Sequence, residues 1–432
     1  MTEKNKRSFL LILMTLSVLP LPFIVQQSVT WGINAGSWLY LSAVTGYFGL
    51  LGLLWMYILG TKSVMGLYFR DLAPVYKLHG WLGKYATLLV FVHPLAIALS
   101  YGASMLTYTW LPNFGTSFEQ SVTWGRFAFW ALLIVWFTSA LVRGRMSYRP
   151  WKYLHYLAYV ALPLSLLHIP SIGSSYKVLS FPRVYFMGVL FLAVVFSVLR
   201  LRHLFMLGRA EYEVIRHDTI AKDTQLLRLK PVGRVLTPKP GQYVYVQASL
   251  LGLGHPFSVV QFHQEDGSLT LAYKVFGAFT RDLSQAKPGQ HLFVDGSYGE
   301  FTRQKWQTPK APAVFIAGGI GVTPFIEYIL RDKGENWLFH ANQSRATSAF
   351  GTQFMQRLGD RFVPIFSRET GQLATHEVAG RITPELFRSR LGQTKDYQYY
   401  ICGPEGFMRE AETILSGLGI PKRQIHSEHF SF

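Results

Sequence analysis

The sequence predicts a membrane protein in three parts: a six-helix transmembrane bundle, a cytoplasmic antiparallel β-barrel and an α/β nucleotide-binding domain. Three observations carry this reading. Apolar runs of membrane-spanning length are confined to the region before about residue 207. Residues 1–207 hold 16 Lys/Arg against 3 Asp/Glu, whereas residues 208–432 hold 26 against 21. The second region turns to short strands punctuated by Gly and Pro, then to apolar strands alternating with helical stretches. The expected domains are 1–207, 208–308 and 309–432.

The apolar runs fall near residues 8–26, 38–60, 79–101, 124–142, 151–170 and 183–206. Each is close to the roughly 20 residues that a bilayer core requires. The first follows Lys4, Lys6 and Arg7, as a signal peptide would. Pro20, Leu21 and Pro22 then take the place of a small-residue cleavage site, so the run is read as a helix. A cytoplasmic N-terminus puts 13 basic residues on the inner side, among them Lys62, Lys84, Arg143, Lys152 and Arg200. It leaves three outside: Arg126, Lys177 and Arg183. This asymmetry orients a multi-pass protein of the cell membrane with both termini in the cytoplasm. It also accounts for the excess positive charge without nucleic acid. The expected surroundings are membrane lipid, with no obligatory protein partner evident. The single cysteine, Cys402, excludes an internal disulfide, a Cys-rich zinc site and a Cys-ligated iron–sulfur cluster.

Four histidines stand in the third and fifth runs as two pairs: His79 and His93, His155 and His168. At about 1.5 Å per residue, each pair spaces its imidazoles about 20 Å along a helix. Ionisable residues inside a membrane mark functional sites. This matched arrangement suits two stacked b-type hemes, one held by His79 with His155 and the other by His93 with His168. Fourteen residues make about 3.9 turns, so the first pair shares a face. Thirteen make about 3.6, so the second pair needs a kink at Pro163 or a π-bulge to align.

In the soluble region, strands are expected at Glu211–Ile215, Leu226–Leu229, Tyr243–Gln247, Leu269–Val275 and His291–Asp295, forming the barrel. Ala313–Ala317, Trp337–Asn342, Phe362–Phe366 and Tyr397–Ile401 follow as strands of the α/β domain. Four motifs carry chemistry. His255-Pro256-Phe257-Ser258 offers a flavin an aromatic surface and a hydroxyl. Lys274, Gly277, Phe279 and Thr280 combine a cation, a flexible turn, an aromatic ring and a hydroxyl where strand passes into helix, a setting that suits pyrophosphate. The run Ala317 to Pro324, with Gly318, Gly319, Gly321, Thr323 and Pro324, leads from a buried strand into a helix, where glycines let a nucleotide phosphate approach the backbone. Cys402-Gly403-Pro404 ends a strand where α/β sheets bind ligands, with Cys402 placed to pack on a nicotinamide ring.

This order of motifs behind a bis-histidine membrane region resembles the ferric reductase and NADPH oxidase superfamily over nearly the whole chain. The resemblance implies FAD at His255, Pro256, Phe257 and Ser258, with Lys274, Gly277, Phe279 and Thr280 on its pyrophosphate and adenine side. It implies NADPH at Gly318, Gly319, Gly321, Thr323, Pro324, Cys402, Gly403 and Pro404. Ser367 and Arg368 resemble the pair that reads a 2′-phosphate, and Arg345 matches a second basic position; NADH remains possible. The ending Glu428-His429-Phe430-Ser431-Phe432 resembles the family's terminus, where an aromatic ring covers the flavin. Phe430 is favoured for that place, and Phe432 comes next. Cys402, Ser258, Glu428 and Phe430 then surround the hydride transfer.

The expected activity is transmembrane electron transfer from NADPH through FAD and two hemes to an acceptor outside. That acceptor is O2, giving superoxide, or a ferric chelate. Some oxygen-reducing members carry an Arg on the second span and a His four residues after the outer ligand. Here the second span has no Arg and that position is Ile97. Calcium-binding and long insert segments are lacking too, so constitutive activity is expected.

Overall fold

The computed structural model describes residues 3–30, 37–69, 72–101, 110–169, 180–204, 209–249, 252–299, 301–302, 312–331, 335–392 and 397–428. The chain divides into two compact units, Met1–His203 and Leu204–Phe432.

The first unit is helical: α1 (Glu3–Val18), α2 (Leu21–Thr30), α3 (Ser37–Leu59), α4 (Lys62–Tyr68), α5 (Ala73–Tyr101), α6 (Ser117–Trp136), α7 (Tyr148–His155), α8 (Ala158–His168) and α9 (Phe181–Leu204). Pro20 sits at the turn between α1 and α2. A capping box starts α6: the Thr116 hydroxyl accepts from the Glu119 amide, and the Glu119 carboxylate accepts from the Thr116 amide. A π-helical turn, Phe137–Leu141, extends α6. Five segments among the described residues are long and apolar enough to cross a membrane: Asn5–Gln26, Trp38–Leu59, Ala73–Tyr101, Ser117–Leu141 and Phe181–Arg202. The expected span at 151–170 is interrupted. It is built from two shorter helices, α7 and α8, parted at Tyr156 and Leu157. Arg126, at the start of the expected run 124–142, lies within α6, which begins seven residues before that run at Ser117. Large apolar side chains such as Leu13, Leu95, Leu99, Ile134 and Phe191 are exposed, as suits surfaces whose solvent is lipid.

The second unit opens with a closed antiparallel barrel of order β1-β2-β5-β4-β3-β6. Its strands are β1 (Ala210–Ala221), β2 (Thr224–Pro231), β3 (Tyr243–Gln247), β4 (His255–Phe262), β5 (Leu269–Lys274) and β6 (His291–Tyr298), with α10 (Ala278–Leu283) before the last. Alternation selects the core. Val244 and Val246 of β3 point in with Val214, Leu229 and Leu271, while Tyr243 and Tyr245 point out.

A six-stranded parallel sheet follows, in the order β10-β9-β8-β7-β11-β12. Its strands are β7 (Ala313–Gly318), β8 (Trp337–Asn342), β9 (Phe362–Phe366), β10 (Val378–Ala379), β11 (Gln398–Cys402) and β12 (Ile425–Ser427). Helices α11 (Ile326–Arg331), α12 (Gly351–Leu358), α13 (Pro384–Leu391) and α14 (Glu405–Gly417) connect them. The central strand β7 is buried along its whole length, which is why it reads as an unbroken apolar run. The chain works outward from β7 to β10, then returns to β11 on the other side. The switch point therefore lies between β7 and β11, and the carboxyl ends there carry Gly318-Gly319 and Cys402-Gly403.

Candidate functional site

The helical unit brings the four histidines together as two facing pairs. The rings of His79 and His155 have centroids 6.0 Å apart, and those of His93 and His168 are 6.2 Å apart. Two imidazoles bound to opposite sides of one metal ion by bonds of about 2.0 Å place their centroids about 6 Å apart. The spacing of both pairs fits that geometry.

Each Nδ1 has a partner on a neighbouring helix. His79 donates to the Met56 carbonyl at 3.0 Å, His93 to the Ser42 carbonyl at 2.8 Å and His168 to the Ser121 carbonyl at 3.1 Å. His155 Nδ1 lies 3.2 Å from the Ser139 hydroxyl. A proton held on Nδ1 leaves the Nε2 lone pair for a metal and fixes the ring's orientation.

Sequence reasoning missed what admits these rings. Each of the three carbonyls precedes a glycine by four residues, at Gly46, Gly60 and Gly125. A Cβ at Gly46 would stand 2.8 Å from His93 Nδ1, and one at Gly125 would stand 2.8 Å from His168 Cε1. At Gly60 the His79 ring comes within 3.4 Å of a Cβ. Gly46 and Gly60 are 14 residues apart, as are Gly125 and Ser139. That spacing, the same as His79 to His93, was the available signal.

The 13-residue step is resolved at Tyr156 and Leu157 rather than at Pro163, which lies inside α8. Here Leu157, Tyr159 and Val160 donate to the carbonyls three residues back, at 3.0–3.1 Å. A 3₁₀ turn advances about 120° per residue where an α-helix advances about 100°. A few tightened steps thus carry His168 towards the face of His155. The π turn is on α6 instead, around Ser139.

On the barrel, β4 carries His255, Pro256, Phe257 and Ser258. Phe257 is on the inner face of β4. It faces the core, 5.6 Å from the Tyr273 ring, because strand alternation sends it inward. The outward face pairs Ser258 with Tyr243 and Pro256 with Tyr245. The aromatic surface beside Ser258 is therefore Tyr243, Tyr245 and Tyr298, with ring centroids 5.7–6.0 Å apart. His255 stacks on Phe279 at 4.0 Å and 13°. The Thr280 hydroxyl accepts from the Phe276 amide at 2.7 Å, closing the turn at Gly277, where φ is +91°. Lys274 stands exposed at the end of β5.

At the switch point the glycines divide into two groups. A Cβ on Gly321 would lie 2.8 Å from the Gly403 Cα, and one on Gly403 would lie 3.0 Å from the Gly318 Cα. These three let two loops pack backbone to backbone. Gly319, at φ +57°, is the one that opens onto free space. Thr323 donates to the Ile320 carbonyl at 3.0 Å, and Pro324 is buried beside it. His340, on β8, was not singled out from the sequence. It is fully buried and donates from Nε2 to the Gly319 carbonyl at 3.0 Å. Burial pushes its pKa down to about 4, so the ring is neutral.

Burial, reinforced by the Glu428 carboxylate, pushes the Cys402 thiol up. Glu428 also reaches the barrel: a Cβ on Gly299 would lie 3.4 Å from its Oε1 and 3.2 Å from the Tyr243 ring. Cys402, Glu428 and the tyrosine surface are thus brought to one region. Phe430 and Phe432 lie outside the described residues.

Arg345 forms a bidentate ion pair with Glu377, its Nε donating at 2.7 Å, and its amide donates to Glu369 at 2.7 Å. This pairing holds the Glu377 carboxyl down to about 2. Arg368 is exposed, and its amide binds the Gln343 carbonyl. Ser367 is anchored to the Asn342 carbonyl.

Residues 45–166 match the family described as ferric reductase like transmembrane component. Residues 211–303 match the oxidoreductase FAD-binding domain and residues 315–413 the oxidoreductase NAD-binding domain. Among curated proteins, a flavohemoprotein of Pseudomonas putida is 26% identical over 52% of this chain and 59% of its own length. A flavohemoprotein of Deinococcus radiodurans is 29% identical over 47% of this chain and 54% of its own. The chain thus spans little more than half the length of these relatives. Among solved structures, the ferredoxin reductase in carbazole 1,9a-dioxygenase is 21% identical, covering 52% of this chain and 70% of its own, with a TM-score of 0.45. A flavohemoglobin from Malassezia yamatoensis is 20% identical, covering 77% and 92%, with a TM-score of 0.45.

Proposed function

We propose that this oxidoreductase, whose domains stand in the order of a ferric reductase/NADPH oxidase-type fusion, moves electrons across a membrane. They pass from cytoplasmic NAD(P)H, by way of FAD and two b-type hemes, to an extracytoplasmic acceptor. The observation that carries this reading is the pair of facing imidazole sets at 6.0 and 6.2 Å, with all four Nδ1 atoms engaged.

His79 with His155, and His93 with His168, would hold the iron atoms of an inner and an outer heme. FAD, when bound, takes the two electrons of a hydride together, and heme iron takes them singly, so the combination converts a two-electron donor into a one-electron path. The chain's own residues position these groups. Tyr243, Tyr245 and Tyr298 offer the isoalloxazine an aromatic wall, and Ser258 holds a hydroxyl at its edge. Gly319, fixed by His340, leaves backbone amides open to the nucleotide phosphates. Cys402 stays a neutral, apolar-like surface for the nicotinamide ring, and Phe430 is the ring that gives way to it. Because each pair would commit both of its imidazoles to holding the iron, an acceptor would be reduced without itself binding the metal.

Oxygen, giving superoxide, is the first acceptor proposed. The lack of an Arg on α3 and the presence of Ile97 favour a second reading, reduction of a ferric chelate. The purified protein, given NAD(P)H, distinguishes them. Cytochrome c reduction abolished by superoxide dismutase supports superoxide. Reduction that persists with the dismutase, together with rapid ferric-chelate reduction, supports the second. A reduced spectrum with no low-spin heme bands would overturn both.

A further inference from the structure

Three of the four imidazoles lean on backbone carbonyls, His93 with the Ser42 hydroxyl 3.0 Å away as well, and His155 leans on a side chain without such a carbonyl. Ser139 Oγ lies 3.2 Å from His155 Nδ1 and also accepts from the Trp151 indole N–H at 3.1 Å. The Trp151 ring lies 5.0 Å from the His155 ring at 31°, and the Arg143 guanidinium sits 4.5 Å over the indole. Ser139 occupies the middle of the π turn Phe137–Leu141, and such turns frequently occur at functional sites.

We propose that Ser139 and Trp151 form a tuning device for the inner iron ligand, and that it sets the inner heme's reduction potential apart from the outer one's. This rests on the heme reading above. A His155 that gives Nε2 to iron carries its proton on Nδ1 and donates it to Ser139. The same oxygen serves two N–H donors, and each weakens the hold of the other. The more firmly Nδ1–H is bound, the more electron density the imidazole gives the iron and the lower the potential. The shared hydroxyl therefore makes His155 a weaker donor than the three ligands on carbonyls. Arg143, drawn over the indole face, holds Trp151 in the competing position. Ser139 and Trp151 are positioning residues: each acts on the iron only through His155.

The device predicts opposite signs for two deletions. Ser139→Ala removes the acceptor and moves the inner potential up. Trp151→Phe removes only the competing donor, tightens the His155 bond and moves it down. Ser139→Thr keeps the hydroxyl and restores the wild-type value. The experiment is a spectroelectrochemical titration of the purified full-length holoprotein, with the low-spin ferric electron paramagnetic resonance signal as a second readout. The expected result is that one of two titrating components moves, in opposite directions in the two variants, while the other stays. Unmoved potentials, shifts of one sign in both variants, or equal shifts of both components overturn the proposal. Should Ser139→Ala fail to retain heme, Trp151→Phe decides by itself: a downward shift of one component supports the device, and any other result overturns it. Wild-type protein with no low-spin heme overturns the heme reading itself, a different failure from heme that is present and unmoved.

Discussion

Gly46 and His93 are in such close register that a Cβ on the glycine would stand 2.8 Å from the imidazole Nδ1. Gly125 stands in the same relation to His168. A methyl group at either place must push the ring off its carbonyl, because overpacking of this kind costs about 1–3 kcal/mol. Gly46→Ala and Gly125→Ala should each lose most of one heme's Soret absorbance while flavin reduction by NAD(P)H continues. Gly188→Ala, with nothing within 4 Å of the added carbon, should bind both hemes as before. A Gly125→Ala protein with a full heme complement would refute the packing argument.

The pairing of the histidines makes a second prediction. Replacing His168 by Leu removes a ligand of the outer pair and leaves His79 with His155, 6.0 Å apart, intact. The expected protein retains one heme, reduces its flavin at the wild-type rate and loses acceptor reduction by at least about 100-fold, since the electron path lacks its last station. Retention of both heme signals would break the assignment of partners.

His340 gives a prediction in pH. Its folded pKa, near 4, lies below the unfolded value of about 6.5. The unfolded chain therefore takes up the proton first. The contribution to stability is complete above about pH 6.5 and fades as pH falls towards 4, reaching a loss of about 2 kcal/mol at pH 5. His340→Gln keeps a donor for the Gly319 carbonyl and has no such titration. Inactivation of NAD(P)H–ferricyanide reduction should therefore accelerate less between pH 7 and pH 5 in that variant. His340→Leu, which frees the loop, should raise KM for the nucleotide with kcat little changed. Equal acid sensitivity of the Gln variant and the wild type would remove His340 from the account.

Arg345 and Glu377 bear on the choice of nucleotide. A guanidinium already held bidentately by a carboxylate is a poor receptor for a 2′-phosphate. With Glu377 held down to about 2, the pair stays ionised throughout the working pH range. Glu377→Gln should raise the NADPH to NADH ratio of kcat/KM roughly tenfold to a hundredfold, the scale of one freed charge-assisted bond. Arg368→Ala should lower the same ratio. A ratio unmoved by Glu377→Gln would mean that Arg345 lies away from the nucleotide.

Much of this arrangement was legible in the sequence, because side-chain identity carries it. The histidine spacing, the apolar run of β7 and the turn after β11 are written in residue types. The orientation of Phe257 was hidden because a four-residue motif does not say which face of a strand it presents. The tyrosines opposite it, two apart on β3, held the answer. The break at Tyr156 was hidden because it arises from main-chain hydrogen bonds and no residue type marks it. The partners of His79, His93 and His168 were hidden for the same reason: a carbonyl has no letter, and only the glycine four residues on betrays it.

Carbonyl partners also have a genetic consequence. No codon change at Met56, Ser42 or Ser121 can delete a main-chain oxygen, so the carbonyl hold on three imidazoles is insulated from mutation at the residue that supplies it, although a change at Ser42 also removes the hydroxyl 3.0 Å from His93 Nδ1. Damage to the carbonyl bonds enters through the glycines, by addition. His155, resting on the Ser139 hydroxyl without a carbonyl beside it, depends most on an acceptor that one nucleotide change can erase or alter. Natural variation in the potential of this electron path should therefore gather at position 139 and its indole neighbour, leaving the outer pair nearly invariant in its chemistry.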